Sequence, residues 1–114
     1  MAEYIQELKG NYEEFVQYVE ESVMSKSMTV LLESKRKTIL NDVKCTVMSF
    51  ERYSYTGGNR VSMCVTILGY NQDIRLIANA AGGSQAKFFK INTWGEESFL
   101  ETLIQPVEAY IQKG

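Results

Sequence analysis

The side chains best equipped for chemistry in this sequence are cations. Lys35, Arg36 and Lys37 form one uninterrupted basic run. Placed in a loop between two strands, with helix N-termini close by, such a run would hold an anion. A second group comprises Arg52, Tyr55, Asn59, Arg60, Ser84 and Gln85. These residues come together when the doublets Gly57-Gly58 and Gly82-Gly83 bend neighbouring hairpins, since tight hairpin turns favour residues that accept positive φ. Guanidinium, phenol and amide groups at that end would form a polar patch for a ligand or partner. Tyr53, Tyr55 and Arg60 could instead stack on the bases of single-stranded nucleic acid. These groups suggest two chemical alternatives: a carboxylate- or anion-dependent enzyme or regulator using the Lys35–Lys37 loop, and a single-stranded nucleic-acid binder.

Composition weighs against both. The chain contains no histidine, which removes the commonest general base, the commonest metal ligand and every imidazole-dependent triad. Its only cysteines are Cys45 and Cys64, too few for an ordinary zinc site. No nucleophile elbow or phosphate loop occurs. The acids Glu13, Glu14, Glu20, Glu21, Glu96, Glu97 and Glu101 fall where helix exteriors are expected, so capping and solvation account for them. A net charge of −2 disfavours a general nucleic-acid binder. No catalytic residue, metal or cofactor is expected.

The elements that position these groups are set by one hydrophobic phase. From Val43 to Asn92 four segments alternate apolar and polar residues, the period of half-buried strands. Closing the Gly57-Gly58 turn sets Phe50 against Val65 and Met48 against Ile67. A turn around Tyr70-Asn71 sets Ile67 against Ile74, Val65 against Leu76 and Met63 against Ala78. The Gly82-Gly83 turn sets Leu76 against Phe89 and Ile74 against Ile91. Each pairing collects the same inward set, whereas a one-residue slip would turn every side chain over. A strand from Met28 to Glu33 and a short edge strand from Tyr4 to Leu8 complete the sheet. Asn11 with Glu14 opens a helix carrying Phe15, Val16, Val19 and Val23. Thr93 with Glu96 opens another carrying Phe99, Leu100, Leu103, Ile104, Val107, Tyr110 and Ile111. Pro106, the only proline, should kink or divide this second helix.

The expected fold is α+β: an antiparallel five- to six-stranded meander with two helices on one face, in the order β-α-β-β-β-β-β-α. At 114 residues with 45% apolar content the chain is expected to be one domain, 1–114, with a core that needs no metal or disulfide. Cys45 and Cys64 should lie on the order of 20 Å apart along the strands, which predicts two reduced thiols. The start of the sequence lacks a basic region followed by an apolar one, so a soluble cytoplasmic protein with no membrane partner is expected. The sheet face away from the helices would carry Leu31, Val47, Leu68, Ile77 and Phe88, an apolar band that needs a cover. Self-association is the simplest cover.

The stretch ERYSYTGGNRVS at 51–62, and GGSQAKFFKINT at 82–93 followed by Gly95, Glu96 and Glu97, resemble a family of small uncharacterised bacterial proteins, mainly Gram-positive, with a domain of unknown function. That resemblance implies a bacterial cytosolic origin and carries no catalytic residue across. The order of elements is also similar to the helix-grip (TBP-like) architecture, whose members often hold apolar ligands between sheet and helix. The function that best fits is a non-catalytic cytosolic binding or protein-interaction module. It would be homodimeric, with space for an apolar or small ligand between the sheet and the C-terminal helix.

Overall fold

The first residues to order the chain are the alternating ones. In the computed structural model, which describes residues 2–26, 29–53, 60–82 and 93–113, they build five strands: β1 (Ala2–Lys9), β2 (Val30–Leu40), β3 (Val43–Tyr53), β4 (Arg60–Tyr70) and β5 (Asp73–Gly82). Helix α1 (Tyr12–Met24) follows β1, and α2 (Thr93–Lys113) comes after β5. The sheet is antiparallel throughout, in the order β1-β5-β4-β3-β2. The fold is thus α+β, with five strands among the described residues. Residues 84–91, where a sixth was expected, lie outside them, as do Met28, Tyr55 and both glycine turns apart from Gly82.

The inward phase is the expected one. Met48, Phe50, Met63, Val65, Ile67, Leu76 and Ala78 are all buried. They face Phe15, Val16, Val19 and Val23 of α1 and Phe99, Leu100, Leu103 and Val107 of α2, which belong to the same core. The register, however, differs by two residues in both central hairpins. Phe50 pairs with Met63 rather than Val65, and Val65 with Ala78 rather than Leu76. Between β4 and β5 the reason is visible at Asn71, which adopts φ +56° and lets Tyr70 pair directly with Asp73 across a two-residue turn; the turn between β3 and β4 lies outside the described residues. A two-residue slip preserves the facing of every side chain, so the core is unchanged.

Three expectations about the edges are corrected. Lys35, Arg36 and Lys37 are not in a loop: β2 continues to Leu40, and the hairpin turn is Asn41-Asp42, with Asn41 at φ +56°. The side of β5 assigned to Phe89 and Ile91 is held by β1, where Gln6 pairs with Leu76 and Leu8 with Ile74. Finally, the helix N-termini are at opposite ends of the sheet. Residue Gly10, just before α1, hydrogen-bonds to Gln72 at the β4–β5 turn. Phe99, in the second turn of α2, packs under Arg52 near the far end of β3. Helix α2 therefore starts at the end where β5 finishes, whereas a shared end would require one further reversal of the chain after β5.

Asn11 caps α1, its side chain accepting from the Glu14 amide at 2.9 Å. Helix α2 runs undivided through Pro106. The Pro106 carbonyl accepts from the Tyr18 hydroxyl at 2.8 Å, and Tyr110 packs edge-on to Phe15 at 5.0 Å, so tyrosines fasten one helix to the other. Tyr4 completes the frame from β1, donating to Glu108 of α2 at 2.8 Å.

Candidate functional site

The basic run divides between the two faces of β2. A β-bulge between Leu32 and Ser34 adds one residue and reverses the facing of the strand beyond it. Lys35 therefore pairs with Met48, on the helix side, and bonds Glu20 of α1 at 2.6 Å. Lys37 lies beside buried Thr46 and reaches Glu13 at 3.3 Å, which Lys44 also approaches at 3.7 Å. Arg36 faces the other way, alongside Val47. The two lysines are compensated by α1 carboxylates, and the three cations do not converge on one point.

The second group is divided in the same manner. Arg52 is on the helix side, its guanidinium carbon 4.8 Å from the centre of the Phe99 ring. Burial there pulls its pKa below the usual arginine value. Arg60 is on the opposite face, paired with Tyr53 across the strands and bonded to Glu51 at 3.5 Å. Tyr53 and Ser62 also contact that carboxylate, at 3.5 and 3.4 Å. Tyr53 and Arg60 thus surround an acid rather than forming an open cationic platform. Tyr55, Asn59, Ser84 and Gln85 lie outside the described residues. Between the sheet and α2, the place assigned to an apolar ligand, lie the buried side chains of Phe50, Met63, Phe99, Leu103 and Val107. Among the described residues no group of three or more Cys, Asp and Glu is placed to hold a metal.

What the fold does bring together is the face opposite the helices. One cross-strand row reads Ile5, Ile77, Thr66, Val47, Arg36. The next reads Glu7, Arg75, Leu68, Cys45, Thr38. Ile5 is 60% exposed, Leu31 46% and Tyr70 49%, while Val47, Leu68 and Ile77 are half-buried by their neighbours. Leu31, Val47, Leu68 and Ile77 therefore share one side, and Phe88 lies outside the described residues. Near the β4–β5 turn this face dips into a hollow of about 510 Å³ lined by Val43, Leu68, Tyr70 and Arg75. Ile5 is the surface residue that sequence reasoning missed. Its signal was the alternation of Tyr4, Gln6 and Leu8, which leaves Ile5 on the outside once β1 is in the sheet.

Cys45 and Cys64 are free, half-buried thiols on this face. Cys64 pairs with Ser49, four residues from Cys45 along β3, or about 13 Å. That is closer than the sequence implied but still beyond disulfide reach.

At the turn end, the buried Tyr12 hydroxyl bonds the buried Thr46 hydroxyl, and Lys44 lies over the Tyr12 ring at 5.8 Å. Burial, opposed by the Thr46 bond, pushes the Tyr12 pKa above the ordinary 10.0. Burial also raises Tyr4, where Glu108 adds to it, and Tyr110, beside Glu14. A tyrosine whose folded pKa is raised contributes stability that is complete below pH 10.0 and lost as pH climbs through the folded values. Urea unfolding should therefore give a flat midpoint up to about pH 10 and a falling one above it, with Tyr12→Phe reducing the alkaline slope. An unchanged slope in that variant would show that Tyr12 is not responsible.

No helix among the described residues is long and apolar enough to cross a membrane. Neither the curated proteins nor the solved structures contain a match to this chain. The resemblance carried by residues 51–62 and 82–93 to proteins with a domain of unknown function is matched by the family of this chain. The family model matches residues 1–111, spanning every strand and nearly all of α2, and the chain belongs to DUF6054, a family of unknown function.

Proposed function

We propose that the protein is a small non-catalytic interaction module that self-associates through the open face of its sheet. The observation that carries this reading is the placement of both helices on one side. It leaves the row from Ile5 through Ile77 and Val47, with Leu68 beside it, without a covering element among the described residues. Sheets that show an apolar face to water are commonly interaction surfaces. The edges, by contrast, are guarded: β2 carries the bulge and the Lys35–Lys37 run, and β1 carries Glu3, Glu7 and Lys9. Face-to-face association is therefore favoured over strand addition. The helix-grip-like arrangement, an antiparallel sheet under a C-terminal helix, serves here as a rigid platform for that face. Two thiols held apart suit a reducing cytoplasm, the compartment in which we place the protein.

Sedimentation equilibrium of the purified chain should report a dimer. Ile77→Lys should return it to a monomer, because an apolar side chain worth about 1.5–3 kcal/mol on burial is replaced by a charge at two symmetric positions. The helical circular dichroism should persist, since Ile77 makes no contribution to the helix-facing core. A wild-type monomer at all concentrations, or a dimer indifferent to Ile77→Lys, would refute the reading.

A further inference from the structure

We propose that the second copy docks with its two-fold axis parallel to the strands, along β4, so that Arg36 of each copy reaches the Glu3–Glu7 side of β1 on the other. The proposal rests on the self-association reading and adds the orientation that makes the face selective for its own kind. Two identical faces can meet only about an axis lying in the plane between them. Aligned sheets pack within about 30° of each other, so the axis runs either along the strands or across them. β4 is the middle strand, which makes the two cases easy to write down.

An axis across the strands at Thr66 places every row position over itself. Arg36 would then meet Arg36 of the second copy, and Glu3 would meet Glu7, like charge on like. An axis along β4 exchanges β1 with β2 and β5 with β3. Ile77 then lies over Val47 of the second copy, and Ile5 lies under Arg36. Glu3 and Glu7 flank Ile5 at two residues on either side, about 7 Å each way. A rotation of either sign thus carries Arg36 over a carboxylate. Charge complementarity favours this second case, since like-charge juxtaposition penalises the first.

Two further observations agree. Arg36 and Glu3 are exposed, and neither makes a salt bridge among the described residues, whereas Glu7 is shared with Arg75 at 2.9 Å. Arg36 is the one member of its basic run that α1 does not compensate. The area is also adequate. Five strands at about 4.8 Å and eight residues at about 3.3 Å give a face of roughly 600 Å² per copy, near the approximately 800 Å² per partner of stable complexes.

The test is a charge exchange read by sedimentation equilibrium at low salt. Arg36→Glu should weaken the dimer about tenfold, since two symmetric contacts turn repulsive. Adding Glu3→Arg or Glu7→Arg to Arg36→Glu should restore the affinity in at least one of the two double variants. If wild type dimerises and Ile77→Lys dissociates it, yet Arg36→Glu leaves or tightens the affinity, or neither double variant restores it, the face is right and the orientation is overturned. A wild-type monomer would overturn both.

Discussion

Replacing Phe99 with alanine is expected to lower the unfolding free energy by about 3–5 kcal/mol, a large share of the roughly 5–15 kcal/mol that holds a domain together. Phe99 has no exposed surface and joins α2 to the main core. Its removal takes away the buried ring and leaves a void between helix and sheet that packed neighbours fill only partly. It also leaves the Arg52 guanidinium, which lies on the ring and is already desolvated, facing that void. Phe99→Leu keeps most of the volume but not the aromatic face, and should cost only about 1–2 kcal/mol. Urea titrations followed by circular dichroism separate the two variants. Equal losses would mean that ring volume is not what secures α2.

Gly69→Ala is expected to be the second costly change, against what local propensity suggests. Glycine within a strand is normally a liability, and alanine would be preferred by about 0.5–1 kcal/mol. Here a Cβ on Gly69 would stand 2.4 Å from Cδ1 and 2.9 Å from Cγ of Tyr12. Those are ring atoms of a buried side chain, held from above by Lys44 and at the hydroxyl by Thr46. Overpacking of this kind costs about 1–3 kcal/mol. Displacing the ring also strands the Thr46 hydroxyl, which has no exposed surface, for another 1–3 kcal/mol or so. The steric effect should prevail, with a net loss of about 2–4 kcal/mol. Combining Gly69→Ala with Tyr12→Ala should cost less than the sum of the two single losses, and strict additivity would rule out the contact as the cause.

The facing of residues was legible in the sequence where strands are half-buried. Met48, Phe50, Met63, Val65, Ile67 and Leu76 alternate with polar neighbours, and the buried set is the one that alternation selects. Register was not legible to better than two residues, because a slip of two leaves the pattern intact; between β4 and β5 the backbone at Asn71 decides. The far half of β2 was hidden for another reason. Lys35 to Leu40 is an edge segment whose helix side is covered by ion pairs instead of apolar packing, so it carries none of the usual strand signal. The place of β1 beside β5 was equally silent, since an eight-residue strand can satisfy its alternation at either edge. Leu31, Val47, Leu68 and Ile77 share one side of the sheet, as their alternation implies. The proposed polar patches did not assemble among the described residues because Arg52 and Arg60, and likewise Arg36 and its lysine neighbours, differ in facing.

The irregularity after Leu32 has an implication for how this protein can change. Because β2 holds one residue more than its partner requires at that point, the two halves of the strand keep separate alternations, each fixed by its own partners on β3. Loss of Glu33 would straighten the ribbon and turn nothing over, since Leu32 would still oppose Phe50 and Ser34 would still oppose Ser49, with the arginine outward and both lysines toward α1. A relative could thereby gain or lose one unit of length at this point while its interior and its charged exterior both stayed as they are.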